Sequence, residues 1–256
     1  MDREELYDVI AQRKTKPKDY EPYAGDNGRV NKCVNLMRQG KLRTGGRLVD
    51  IGGGIGDLGY AVKDLFDECI VVDICDKSNE AARAKGNITL TLDIDKHGLE
   101  PLGNSSVDVI TALDFIEHIV DPENFARECF RVLKPSGEVF INTPNIRFWK
   151  HIDALWKHGR FPHTSGDREV FHGGHLAFFT ALDLCDIFEP AGFTRCGTFK
   201  DEECYEQPPQ SFVDPLLSRI TAISTSEQLK TTQQQYVEAC LELGCPNLLK
   251  KFVVKK

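Results

Sequence analysis

Cysteines at metal-ligand spacing are missing from this chain of 256 residues. Its nine cysteines are scattered and odd in number, with no CxxC pair. Neither a disulfide framework nor a cysteine-based zinc site is therefore expected; free thiols in a reducing cytoplasm are. No apolar run approaches the roughly 18 residues that span a bilayer as a helix, so membrane insertion is not expected. The opening Met1-Asp-Arg-Glu-Glu-Leu6 is acidic and lacks the basic-then-apolar layout of a signal peptide. Positive charge is in short supply: the net charge is −7, which argues against nucleic-acid binding by phosphate neutralisation. Internal repeats and low-complexity tracts are absent too. What remains is a globular composition, 41% hydrophobic and 28% charged. The length suits one large α/β domain with a sizeable core.

Residues 1–46 read as a polar, helical lead-in with apolar stripes at Leu6, Val9 and Ile10 and at Val30, Val34 and Met37. Between the stripes, Lys16-Pro-Lys-Asp-Tyr-Glu-Pro-Tyr23 is a loop whose Tyr20 and Tyr23 are candidate substrate contacts in a flap. Five apolar runs then alternate with helical patterns: Leu48–Ile51, Cys69–Ile74, Ile88–Leu92, Val107–Leu113 and Glu138–Asn142. That alternation predicts a doubly wound, mostly parallel sheet. The spacing of Leu58, Ala61, Val62, Leu65 and Phe66 predicts a helix after the first run. Lys134-Pro-Ser-Gly137 is expected to end the helix before the fifth run. The pattern is irregular from Pro144 to Thr180. A helix over 181–190 follows with Thr180 as N-cap, then a sixth strand in 192–199 and a last one in 248–254.

The organising stretch is Arg47-Leu-Val-Asp-Ile-Gly-Gly-Gly-Ile-Gly-Asp-Leu-Gly59. A strand here breaks into glycines and then a helix start, where backbone N–H groups can meet a polar ligand without a Cβ in the way. Ligands of open parallel sheets sit outside the carboxyl ends of the strands, and acids stand there: Asp50, Asp73 and Asp93. An acid such as Asp73 can accept both ribose hydroxyls. Asp93 can accept from the adenine amine, with Ile74 and Ile94 against the ring faces. A nucleoside ligand follows, of which two must be weighed. Gly54-Ile-Gly-Asp-Leu-Gly59 matches G-x-G-x-x-G, the string of a nicotinamide dinucleotide site, but lies late relative to the strand. Asp50 would repel a pyrophosphate and would suit a cationic ammonium beside a sulfonium. Charge favours S-adenosylmethionine over NAD.

The ordered set Val49–Gly56, Val72-Asp-Ile74, Asp93, Asp108–His118 and Arg131–Gly137 resembles the class I S-adenosylmethionine-dependent methyltransferases. Within them it is similar to the small-molecule branch that includes the ubiquinone-biosynthesis methyltransferases; Thr143-Pro-Asn145 and His175-Leu-Ala-Phe-Phe-Thr180 also occur there. The likeness covers roughly residues 45–200. It implies a Rossmann-like, seven-stranded sheet with the last strand antiparallel, and S-adenosylhomocysteine as product. It further implies that Asp50, Gly52, Gly54 and Gly56 cradle the methionine moiety, that Asp73 holds the ribose and Asp93 with Ile94 the adenine, and that Leu113 lines the cofactor. The family often carries Cys or Ser where Gly53 stands, so a looser turn is expected here.

On this reading the whole chain is one methyltransferase domain. Residues 1–46 form the lead-in and flap, 47–145 the cofactor half, 146–180 a substrate cap and 181–256 the C-terminal helices and strands. Five of the seven histidines fall between His151 and His175, among aromatic residues. His118 and His175 are the candidate catalytic pair, and Asn145, Arg147, Trp149 and His172 the candidate substrate contacts. His172-x-x-His175 lacks a convincingly spaced third ligand, so no metal is expected. The expected reaction is methyl transfer to oxygen or nitrogen of a small polar, anionic metabolite. An NAD-dependent oxidoreductase and a catalytically silent cofactor binder that serves a partner are the alternatives. Residues 200–246 are a candidate interaction surface or homodimer contact.

Overall fold

A computed structural model describes residues 28–161, 174–199, 205–214 and 242–255. Seven strands form one sheet: β1 (Arg47–Ile51), β2 (Glu68–Asp73), β3 (Ile88–Thr91), β4 (Val107–Leu113), β5 (Leu133–Pro144), β6 (Phe193–Phe199) and β7 (Asn247–Val254). Their order is β3-β2-β1-β4-β5-β7-β6. The first five are parallel, and β7 runs antiparallel between β5 and β6. The chain winds outward from β1 to β3 and then returns to place β4 on the other side of β1. The topological switch therefore falls between β1 and β4, where open sheets of this kind bind ligands.

Strand residues alternate between two cores, as a two-sided sheet requires. One face sends Val49, Ile51, Val72, Ile110, Val139 and Ile141 against α5 (Pro122–Val132) and α7 (Ala181–Phe188). The other sends Leu48, Val109 and Phe140 against α1 (Gly28–Arg38) and α2 (Asp57–Ala61). The stripe Val30, Val34 and Met37 is the buried face of α1, joined by Cys33. Thr180 caps α7 in a reciprocal capping box with Asp183.

Three local expectations need correcting. The helix after the glycines stops at Ala61, yet Val62 and Phe66 stay buried, because a turn closed by the Leu65 N–H on the Val62 carbonyl keeps them facing inward. The helix before the fifth run does end at Val132, but β5 starts at Leu133 and not at Glu138, so Lys134–Gly137 belongs to the strand; Ser136 with a positive φ of 60° marks an irregularity where the β4–β5 register shifts. The expected irregular cap contains α6 (Trp149–His158), ended by Gly159 in the left-handed conformation. Between β2 and β4 lie α3 (Asp76–Ala84) and the one-turn α4 (Ile94–His97). The tyrosine loop with Tyr20 and Tyr23, His172, and most of 200–246 lie outside the described residues. Among the described residues, no helix is long and apolar enough to cross a membrane.

Candidate active site

The ends of β1, β2 and β4 are brought side by side by their register: Asp50 is level with Val71 on one side and Thr111 on the other. Asp50 is 3% exposed, and the Thr111 hydroxyl donates to its Oδ1 at 2.7 Å. Burial, more than any neighbour, pushes its carboxyl up to about 7, with Asp73 adding to the rise and Thr111 and Arg29 opposing it. Gly53 abuts the same carboxylate: a Cβ there would sit 2.5 Å from Asp50 Oδ2. Glycine at this position is thus what lets Asp50 keep its place under the turn, a tighter fit than the looser turn expected.

Gly54 has φ +54°, and a Cβ on it would point into open space among the described residues. Its N–H donates to Asp73 Oδ2 at 2.9 Å, while the Cys75 N–H donates to Oδ1 at 2.9 Å. The Asp73 carboxylate is so oriented by two backbone donors. Asn79, fully buried, fixes the end of β2 by donating to the Asp73 carbonyl and to Thr91 Oγ1, both at 3.0 Å. Asp93 caps α4 by accepting from the Asp95 N–H, and Lys96 pairs with its other oxygen at 3.0 Å. Ile94 is buried and Ile74 half-buried next to these acids. Leu113, buried at the end of β4, is level with Asn142 of β5.

Beyond Leu113 the chain turns through Asp114, whose φ of +51° is left-handed. Its carboxylate accepts from Arg29 of α1 and from Asn142. A 3₁₀ turn, Ile116–His118, follows. Glu117 in that turn is 1% exposed; Thr143 Oγ1 donates to its Oε2 at 2.8 Å, and its Oε1 has no hydrogen-bond partner among the described residues. Burial, with the Asp114 charge behind it, holds the Glu117 carboxyl well above the usual carboxylate range. His118 Nδ1 stands 3.2 Å from the Gly174 carbonyl oxygen, and the Leu176 and Ala177 N–H groups donate to the Glu117 carbonyl at 2.7 and 3.2 Å. The segment after Gly174 is thereby laid along the turn. The His118 and His175 rings meet edge-on with centroids 4.8 Å apart, and His175 Nε2 lies 4.0 Å from Glu117 Oε1. The two histidines read from the sequence are neighbours.

The remaining candidates sit elsewhere. Asn145 is fully buried, its amide donating to the Glu242 and Cys245 carbonyls and its Oδ1 accepting from the Arg147 N–H. Arg147 pairs at 2.7 Å with the buried carboxylate of Glu242, whose other oxygen accepts from the Ala181 N–H. Both residues bind the end of β5 to the approach of β7. Trp149 packs on Phe148 and Phe212, its indole N–H buried and without a hydrogen-bond partner among the described residues. Sequence reasoning passed over Arg29 and Glu117. Arg29 opens an otherwise unremarkable amphipathic stripe and carried no signal. Glu117 stood next to His118 in the quoted string and could have been read.

With this geometry in place, the comparisons agree on the class. A family model described as a methyltransferase domain matches residues 28–195. A ubiquinone biosynthesis O-methyltransferase of Xanthomonas oryzae is 30% identical over 105 residues, which are 40% of this chain and 44% of that protein. The mitochondrial ubiquinone biosynthesis O-methyltransferase of Bos taurus is 31% identical over 131 residues, 48% of this chain and 35% of that protein. The chain thus spans less than half the length of either relative. The solved Haemonchus contortus phosphoethanolamine N-methyltransferase 2 with S-adenosyl-L-methionine shares the fold at a TM-score of 0.58, with 17% identity, over 98% of this chain and 60% of that one. This chain belongs to the methyltransferase domain family, in the class I S-adenosylmethionine-dependent group, and S-adenosylmethionine rather than NAD is the cofactor of that class.

Proposed function

We propose that the chain transfers the methyl group of S-adenosylmethionine to an oxygen or nitrogen of a small molecule held beside His118 and His175. The observation that carries this is the row of acids at the switch point, Asp50 and Asp73 under the glycine turn, next to the His118–His175 pair beyond β4. The glycines at 52, 54 and 56 let the methionine moiety approach the backbone, with Asp50 as the negative charge beneath its ammonium. Asp73 accepts the ribose hydroxyls, and Asp93 accepts the adenine amine between Ile74 and Ile94. Leu113 lines the cofactor side facing the acceptor.

Methyl transfer from a sulfonium is an in-line displacement, so the main contribution of these residues is holding donor and acceptor collinear. Such positioning supplies on the order of 7–11 kcal/mol. The expected anionic acceptor draws no support from Arg147, which is committed to Glu242. The test is turnover and calorimetry of His118→Ala and His175→Ala. Turnover should fall by about 10²–10⁴-fold, the range of a lost proton-handling group, with S-adenosylmethionine affinity near that of the parent. Unchanged turnover in both removes them from the acceptor side.

A further inference from the structure

We propose that Thr111 is a positioning residue for the cofactor: acting through Asp50, its buried hydroxyl keeps a carboxylate under the glycine turn for the ammonium of the methionine moiety. β1 and β4 set the pair level, Asp50 against Thr111 as Leu48 is against Val109. Alternate residues of a strand share a face. Asp50 and Thr111 therefore stand on the face of Leu48 and Val109, which packs with Val34 and Met37 of α1 and Leu58 of α2. Thr111 is fully buried there and Asp50 is 3% exposed. Among the described residues, the Thr111 hydroxyl is the one side-chain donor to Asp50, at 2.7 Å from Oδ1. Oδ2 faces the turn instead: it is the atom that a Cβ on Gly53 would meet at 2.5 Å.

Packing of a strand favours a β-branched residue at position 111, and valine would supply the same shape. Threonine adds only a hydroxyl, and burying one on an apolar face is costly unless it is bonded. Asp50 is the partner that offsets that cost. A donated hydrogen bond also favours the charged carboxylate over the neutral acid. Burial holds the Asp50 carboxyl up at about 7, and Thr111 is the largest influence opposing it. Asp73 of β2 and Asp57 of α2 raise it further, while Arg29 of α1 lowers it. Cys33 of α1 and Cys69 of β2 lie in the same field. Burial pushes both thiols up, Cys69 to about 11, so they stay neutral where Asp50 titrates.

This role rests on the cofactor site proposed above. Asp50 meets a cationic ammonium best when ionised, so below about pH 7 it must give its proton to solvent on binding. Thr111 eases that loss by holding the charge that is left. Without the hydroxyl the carboxyl ionises about one pH unit higher. At more alkaline pH both proteins present the charge before the ligand arrives, and the hydroxyl no longer changes affinity. The loss is confined to lower pH, whereas a packing defect would act at every pH.

The test is calorimetry of S-adenosylhomocysteine with the full-length parent, Thr111→Val and Thr111→Ser at about pH 6 and about pH 9. The ratio of parent to variant affinity is read, in which titration of the ligand's own amine cancels. Thr111→Val should bind about tenfold more weakly near pH 6 and within about twofold of the parent near pH 9. Thr111→Ser, which keeps the hydroxyl, should follow the parent at both. Methylthioadenosine shares the adenosyl group and has no ammonium, so it should bind Thr111→Val and the parent alike. Thr111→Ala removes the hydroxyl without adding a methyl; it should show the valine profile, and it carries the test if the valine variant does not fold. A ratio that is the same at both pH values overturns the role, as does an equal loss for methylthioadenosine. Either result leaves the cofactor site standing. Failure of the parent to bind S-adenosylhomocysteine overturns the site itself, and this role with it.

Discussion

Replacing Asp50 by Asn should make the cofactor-free protein more stable at alkaline pH while weakening its hold on the cofactor. Asp50 is buried, and its carboxyl is raised from an ordinary 3.8 to about 7, chiefly by that burial. A raised carboxyl means that the folded chain keeps a proton which the unfolded chain has already lost. Its stabilising contribution is complete below about pH 4 and is lost as pH climbs through about 7. The full rise corresponds to on the order of 4 kcal/mol, about half of which is lost between roughly pH 5.5 and pH 8. Asn keeps the acceptor for the Thr111 hydroxyl and has no charge to lose. Urea unfolding of both proteins at those two pH values reads the effect. The stability gap between parent and variant should shift by about 2 kcal/mol toward the variant at the higher pH. Calorimetry with S-adenosylmethionine should show the opposite preference, because an ionised Asp50 favours the cationic ligand. A gap that stays constant, or moves toward the parent, would refute the placement of a reluctant charge beneath the glycine turn.

Two further outcomes follow from the same geometry. Gly54→Val places a β-branched side chain at φ +54° and points it into the open space over the turn. Cofactor affinity should fall at least tenfold by calorimetry, with a stability cost of about 1–2 kcal/mol from the left-handed backbone. Asn145→Ala strips buried contacts to the Glu242 and Cys245 carbonyls. Urea unfolding should show a loss of about 2–3 kcal/mol, while KM for cofactor stays unchanged in whatever protein remains folded.

The central strand β4 was legible because its residues are buried on both faces. Val107–Leu113 is an unbroken apolar run apart from Asp108 and Thr111, and every residue in it is buried. The acids at the strand ends were legible for a related reason: a charge immediately after such a run lies at the sheet's edge, where ligands sit. Periodicity could not reveal partners made by chain reversal. Arg147 and Asn145 read as ligand contacts because their amide and guanidinium groups look available in one dimension; in the fold both are claimed by the 242–245 segment. Glu117 meets His175 only because the 174–177 segment hydrogen-bonds to the Glu117 carbonyl, a contact between stretches with no shared pattern. The helix of the cap was missed although Trp149, Ile152, Leu155 and Trp156 fall at helical spacing; it has no fully buried residue.

The central claim is that the glycine turn and Asp73 hold the adenosyl group. Titration of S-adenosylhomocysteine and of NADH into the parent protein and into Asp73→Ala tests it most directly. The account predicts saturable binding of S-adenosylhomocysteine to the parent, at least tenfold weaker binding to the variant, and no binding of NADH to either. Equal affinity of parent and variant for S-adenosylhomocysteine, or tight binding of NADH alone, would contradict it.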